Sequence, residues 1–267
     1  MKNLTNLFSA LKEILSDEYK NRASHLHPLP WLDTMQFTLD KFYTKLSIIQ
    51  RENERSQLTG KTVELSHIFD NHKYSVNPRT ILIEGSPGMG KTTLSLKIAY
   101  DWAMGKMPET FPPIQLVFLI KCRDMKSTIL EAIKDQLLPV DKDDLKKKLP
   151  KFIEKQQDKI LLIVDGLDET PKGAEEYVMR LLTRRYMQNC YVVATSRQEK
   201  GLQVRKYFDT LLEIKGYFLN SVELYIKSYF AEELDLANRL IDKLDEDSRL
   251  KTLATNPLNT VLLCVAT

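Results

Sequence analysis

Apolar positions along the 267-residue chain change their period twice. Up to residue 24, Leu4, Leu7, Phe8, Leu11, Ile14 and Leu15 recur at helical spacing and mark one face of an amphipathic helix. Acidic and basic residues are mixed on its other face, which suits packing on a neighbour rather than a membrane anchor. Residues 25–31 (HLHPLPW) break that helix with two prolines. Residues 32–54 return to mixed character, with Phe37, Leu39, Phe42, Leu46 and Ile49 as expected core positions. Residues 56–78 hold no sustained period and read as a connection, with one short apolar segment near Leu65 and Ile68. From Arg79 the pattern alternates. Short apolar runs at 81–83, 114–122, 160–164, 191–196 and 211–214 predict strands. Helical periods fall over 92–104, around Ile129, Ile133 and Leu137, and over 177–187. Such alternation marks a parallel sheet covered by helices. Gly105 is placed to end the first of these helices and Gly216 the last strand. From Asn220 onward the period is helical to the end, with breaks near Glu233 and Asp247.

The first strand of this region runs directly into Gly85-Ser86-Pro87-Gly88-Met89-Gly90-Lys91-Thr92, which matches G-x-x-x-x-G-K-[ST], followed by Thr93. The chemistry needs these residue types. Glycines let the backbone curl so that successive N–H groups point at one anion. Lys91 adds a charge for the β/γ-phosphates, the Thr92 hydroxyl is a ligand for Mg²⁺, and the following helix presents its positive end. Between a strand and a helix the motif is a strong sign of a phosphate cradle.

The second informative stretch is residues 159–169 (KILLIVDGLDE). Five consecutive apolar residues, 160–164, predict a central strand buried on both faces. Asp165 stands at its carboxyl end, where ligands gather in open α/β sheets. A carboxylate there is suited to holding Mg²⁺, directly or through water. Gly166 leaves room for close approach. Asp168 and Glu169 follow on the next loop, where a carboxylate can orient or polarise an attacking water. Arg197 follows the strand at 191–196 and falls on the same rim as Lys91 and Asp165. Two readings of it stand open: bidentate contact with a γ-phosphate, or a structural salt bridge. Arg184-Arg185 reads as a surface pair rather than an arginine finger.

Composition narrows the class. Hydrophobic and charged contents of 43% and 28% are those of an ordinary globular chain, and a net charge of +3 selects no partner. Lys146-Lys147-Lys148 is interleaved with Asp143, Asp144 and Glu154, so it reads as a solvated helix face and predicts no specific nucleic acid. Cys122, Cys190 and Cys264 are odd in number, widely spaced and set in apolar runs, which points to reduced, buried thiols. His25 and His27 have no further ligand nearby and predict no metal site. Charged residues interrupt the amino terminus, which is no signal peptide, and no apolar run reaches membrane-spanning length. Asn3-Leu4-Thr5, a formal glycosylation sequon, carries little weight without one.

Together these motifs resemble the NACHT family of STAND ATPases, the nucleotide-binding module of NOD-like receptors. The resemblance rests on residues 85–93, Asp101-Trp102-Ala103, Leu116-Val117-Phe118, Asp165-Gly166-Leu167-Asp168-Glu169, Thr195-Ser196-Arg197 and Gly216-Tyr217, and it covers roughly residues 79–265. Leu29-Pro30-Trp31 looks like pre-NACHT sequence of some invertebrate receptors. The resemblance implies an α/β P-loop NTPase fold of the ASCE/STAND type, with a five-stranded parallel sheet flanked by helices. The expected organisation is a helical region (1–60), a linker (61–78), the NACHT nucleotide-binding domain (79–218) and the start of a helical domain (219–267). It also implies ATP/ADP with Mg²⁺, slow hydrolysis used as a switch, self-association through the NACHT domain, a cytoplasmic location and a role in innate immune signalling. Pro257, in Asn256-Pro257-Leu258, is expected near the adenine. The apolar stretch at 262–265 would expose much of a helix, so the chain reads as a fragment whose signalling partners engage regions absent from it. Winged-helix and repeat domains are not recognisable. Two other readings remain: a nucleotide-binding scaffold that hydrolyses nothing, and a continuously cycling P-loop ATPase. A small-molecule kinase fits least, because no acceptor-binding segment is visible.

Overall fold

A computed structural model of the chain describes residues 2–21, 24–26, 37–52 and 58–267. The prolines and tryptophan of residues 28–31 lie outside the described residues. The amino-terminal part comprises α1 (Lys2–Asn21), β1 (His25–Leu26), β2 (Phe37–Thr38), α2 (Leu39–Phe42), β3 (Leu46–Arg51) and β4 (Leu58–Thr62). The central part runs β5 (Thr80–Glu84), α3 (Lys91–Ala103), β6 (Leu116–Lys121), α4 (Ile129–Leu137), α5 (Asp143–Gln156), β7 (Ile160–Asp165), α6 (Glu175–Leu182), β8 (Tyr191–Ser196), α7 (Gln198–Val204) and β9 (Thr210–Tyr217). Four helices follow: α8 (Leu219–Tyr229), α9 (Leu234–Glu246), α10 (Ser248–Leu253) and α11 (Pro257–Ala266).

One seven-stranded sheet, ordered β4-β3-β9-β5-β8-β7-β6, carries the site. The five strands from β9 to β6 are parallel, as the alternation of apolar runs and helices predicts. Every residue of β5 and β7 is buried, the pattern of strands covered on both faces. β8 lies between β5 and β7, so the loop after β5 and the acidic end of β7 face each other across one intervening strand.

Two strands sit where the sequence reading places helix and linker. β3 pairs antiparallel with β9, and β4 with β3. In β3, Leu46 and Ile48 are buried while Ser47 and Ile49 are half-buried. The alternation of a strand stands where a helical region is expected, because a short apolar run does not distinguish the two. The same pairing lengthens β9. Gly216 does not end that strand; it lies within it, opposite Ser47 at a register shift. Helix α6 stops at Leu182 rather than near 187, and Arg184 and Met187 beyond it adopt left-handed φ values of 55° and 49°. Arg184 pairs with Asp209, at the rim of the sheet opposite the glycine-rich loop.

The other edge of the sheet is closed by side chains. Tyr19 of α1 donates its hydroxyl to the Val117 carbonyl (3.0 Å) and accepts from the Leu119 N–H (2.9 Å). Gln136 of α4 bonds both the N–H (2.8 Å) and the carbonyl (3.1 Å) of Lys121. Backbone groups of an edge strand are thereby satisfied without another strand. A second apolar cluster joins Phe42 of α2 to Val222, Tyr225, Ile226, Leu240, Leu244, Val261 and Cys264. The three cysteines are free and buried, and burial pushes their thiols up to about 12. No described helix is long and apolar enough to cross a membrane.

Tyr19→Phe removes one hydroxyl and leaves two buried backbone groups unpaired, so it is expected to cost about 1–3 kcal/mol of stability in urea unfolding.

Candidate functional site

The loop between β5 and α3 turns through Gly88 (φ 76°) and Gly90 (φ 85°), which caps α3. Both angles lie in the left-handed region that glycine enters freely. Gly85 holds the end of β5 by donating to the Ser196 carbonyl (3.2 Å), and Met89 bonds back to Ser86 (3.4 Å). The first-turn amides of α3, from Lys91 to Thr93, have no intrahelical acceptors and form the positive end of a helix. Lys91 folds onto the loop, donating to the carbonyls of Gly85 (2.7 Å) and Ser86 (3.0 Å). Burial lowers its pKa, with Asp168 opposing.

Asp165, only 7% exposed, ends β7. It accepts hydrogen bonds from Thr92 (2.9 Å), Ser95 (3.0 Å) and Thr195 (2.7 Å). The Thr195 hydroxyl in turn accepts from the Gly166 N–H (2.8 Å). Among the described residues, Asp165 has no salt-bridge partner. A buried carboxylate held by neutral hydroxyls is a hard-oxygen donor suited to a small divalent cation. Thr92 and Asp165, one on each side of β8, fit Mg²⁺. Ser95 is missing from the sequence reading; its signal is its place one helical turn beyond Thr92. Thr195 was read only as part of the strand before Arg197.

Arg197 forms a salt bridge, Nε to Asp168 Oδ2 at 3.0 Å, and its backbone N–H also donates to Asp168 (2.9 Å). Of the two open readings of Arg197, the salt bridge is the arrangement seen. Asp168 is therefore engaged in holding Arg197 rather than facing open water. Glu169, next to it, is exposed.

Asn256-Pro257-Leu258 sits on the tip of the glycine-rich loop. The Asn256 side-chain amide donates to the Pro87 carbonyl (3.2 Å), and the Leu258 N–H donates to the Gly88 carbonyl (3.2 Å). A Cβ on Gly88 would lie 2.8 Å from Leu258 Cβ and 2.9 Å from Asn256 Oδ1. Close by, the Thr255 carbonyl accepts from Tyr217 (2.7 Å) and would lie 2.2 Å from a Cβ on Gly216. A cavity of about 770 Å³ opens from the loop, a size typical of small-molecule sites. Lys91, Thr92, Asp168, Glu169 and Arg197 line it, together with Phe42, Tyr43, Thr44, Tyr217 and Pro257. Burial raises the pKa of Tyr43 and Tyr217, so both phenols stay neutral. Pro257 lines the cavity together with the loop, whereas Tyr43 and Thr44 had no signal in the sequence, because they reach the cavity only through the antiparallel docking of β3.

A phosphate cradle after the first parallel strand, with an acidic strand end two strands away, defines a P-loop NTPase. A family model described as the NACHT domain matches residues 79–233, more than half of the chain. The chain belongs to the NACHT domain family. It is 29% identical to NLR family CARD domain-containing protein 4 of Xenopus tropicalis, over 68% of this chain and 18% of that protein. It is 27% identical to Protein NLRC5 of Homo sapiens, over 77% of this chain and 11% of that protein. It is 30% identical to NACHT, LRR and PYD domains-containing protein 10 of Homo sapiens, over 71% of this chain and 30% of that protein. The chain thus spans less than a third of these curated relatives. Among solved structures, the Thermotoga maritima RuvB Holliday junction branch migration motor aligns with 72% of this chain and 62% of its own, at 14% identity and a TM-score of 0.37. That likeness is too loose to carry an argument.

Gly88→Ala is expected to strain the loop and lift residues 256–258 from it, weakening nucleotide binding by roughly tenfold or more in calorimetry. Because burial lowers the Lys91 pKa, affinity is expected to fall from neutral to alkaline pH, starting below the ordinary lysine range. Titration calorimetry over that range checks the sign: the charged form binds phosphate, and it is lost as pH rises.

Proposed function

We propose that the chain is the nucleotide-controlled switch of a NOD-like-receptor-type innate immune signalling protein, acting in the cytoplasm. It binds ATP or ADP with Mg²⁺, hydrolyses slowly, and uses nucleotide state to control self-association. The observation that carries this reading is the seat of Asn256-Pro257-Leu258 on the glycine-rich loop. A ligand in that loop touches the helical region as well as the sheet, so its phosphates can bias how the two pack.

Each residue then has a task. Lys91 exchanges the Gly85 and Ser86 carbonyls for phosphate oxygens, and the amides at the start of α3 complete the cradle. Thr92 and Asp165 would hold Mg²⁺, which would supply positive charge against the phosphates. Glu169 orients the attacking water, with Asp168 beside it holding the rim in place. Arg197 leaves Asp168 for a γ-phosphate when one is present, and its side chain, 49% exposed, is free to turn. Pro257 and Tyr43, which line the same cavity, would contact the base.

Magnitudes limit what one residue can do. Moving a two-state switch from 1:99 to 99:1 needs about 5.5 kcal/mol of differential binding. A charge-assisted hydrogen bond contributes about 1.5–3 kcal/mol. Arg197 therefore works together with the contacts of residues 256–258 and with surfaces of the longer protein or of a second copy.

Lys91→Ala is expected to abolish nucleotide binding in calorimetry while leaving the thermal unfolding midpoint of the free protein nearly unchanged. Unchanged affinity would defeat the assignment. Glu169→Gln is expected to suppress hydrolysis in a single-turnover assay without loss of binding. Fast multiple turnover in the parent protein, on the order of 1 s⁻¹ or more, would instead indicate a continuously cycling ATPase.

A further inference from the structure

Beneath the cradle lie four buried charges that the proposed function does not use. Glu84, the last residue of β5, is 0% exposed; Glu213 of β9 is 3%, Arg205 is 5% and Arg51 of β3 is 8%. Glu84 and Glu213 are register partners on neighbouring strands, so two carboxylates meet in the interior. Arg205 grips Glu84 with Nε, at 3.1 and 3.0 Å to its two oxygens, and with Nη2 at 2.8 Å. Arg51 touches both carboxylates: Nε lies 3.4 Å from Glu84, and Nη2 donates to Glu213. Lys215, 39% exposed, reaches Glu213 from the surface at 2.6 Å.

Helix α7 is fastened to the same two carboxylates. Its first residue, Gln198, follows Arg197 and donates to Glu213 at 2.7 Å. Its middle packs so closely that a Cβ on Gly201 would lie 1.9 Å from Glu84 Oε1. Arg205 follows just past its end. Glu84 itself precedes Gly85, whose carbonyl holds Lys91. The two glutamates thus anchor both the start of the phosphate loop and the segment that carries Arg197.

We propose that Arg51 is a positioning residue of the nucleotide site: by bridging Glu84 and Glu213 it holds the phosphate loop and Arg197 in register. The inference rests on the reading of residues 85–93 as a nucleotide cradle. Arg51 precedes the family match at 79–233, so the amino-terminal strand supplies a charge that the matched segment lacks. Without it, two buried carboxylates share one buried guanidinium and a surface lysine. One of them must then take up a proton or move away, and either change displaces a strand end or α7. Burial already raises the Glu84 pKa, with Arg205 and Arg51 opposing.

The test is calorimetric titration of Mg-ADP into the whole chain, with thermal unfolding measured alongside. Arg51→Met is expected to bind roughly tenfold or more weakly, because a broken buried pair leaves an uncompensated charge. Arg51→Met/Glu213→Gln, which restores charge balance, is expected to recover affinity to within about threefold of the parent. Arg51→Lys keeps the charge but cannot span both carboxylates, so intermediate weakening is expected; it decides the matter if Arg51→Met does not fold. Parental affinity in Arg51→Met, or in Arg51→Lys if that variant has to serve, overturns the proposal. So does a double variant that regains its unfolding midpoint but not its affinity. Lys91→Ala separates the two readings. If it alone loses binding, only the role of Arg51 falls; if it binds normally, the cradle and the inference fall together.

Discussion

Asp165 accepts hydrogen bonds from Thr92 and Ser95 of α3 and from Thr195 of β8, and this convergence organises the site. A carboxylate so buried is costly unless its oxygens are satisfied. The three hydroxyls satisfy it while leaving its charge unpaired by any described cation. They also tie β7, β8 and the first two turns of α3 together. The phosphate loop is therefore positioned from both ends, by β5 before it and by the bonds from α3 to Asp165 after it. Gly166, donating to Thr195, extends the same set of bonds toward Asp168 and Arg197.

The loop is also held from above and below. Residues 256–258 rest on its tip with little room to spare, since a side chain on Gly88 would clash with Asn256 and Leu258, and one on Gly216 with the Thr255 carbonyl just before them. Beneath it, the buried pairs of Glu84 and Glu213 with Arg51 and Arg205 link β3, β5, β9 and the segment after α7. Buried ion pairs are weak evidence of stability by themselves. Here they have geometric consequences, because Gln198 and Gly201 rest on the same carboxylates. The cavity thus borrows walls from three parts of the chain: the parallel sheet, the amino-terminal strand with the residues before it, and the helical region.

Local patterns made the parallel strands legible. Continuous apolar runs at β5, β7 and β8 read as strands because a doubly covered strand has no polar face. The glycine spacing of residues 85–92 encoded the loop because left-handed backbone, as at Gly88 and Gly90, favours glycine. Asp165 was placed at a rim by its position after a strand. β3 was not legible, because its six residues satisfy helix and strand patterns alike and only pairing with β9 decides between them. Tyr43 and Thr44 left no mark for a related reason: they reach the cavity only once β3 has docked, whereas Ser95 could be found from its place one helical turn beyond Thr92.

By itself, the sequence determined the succession of the five parallel strands, the turn that can cradle an anion, and which carboxylates end on its rim. These follow from residue type and spacing within a few turns of chain. Tertiary structure alone decided that Arg197 meets Asp168, that Arg51 bridges Glu84 and Glu213, that residues 42–44 line the cavity, and that Asn256 and Leu258 bond to the loop. Those contacts join positions up to 169 residues apart, and they exist only once β3 has paired with β9 and the last helices have packed against the loop.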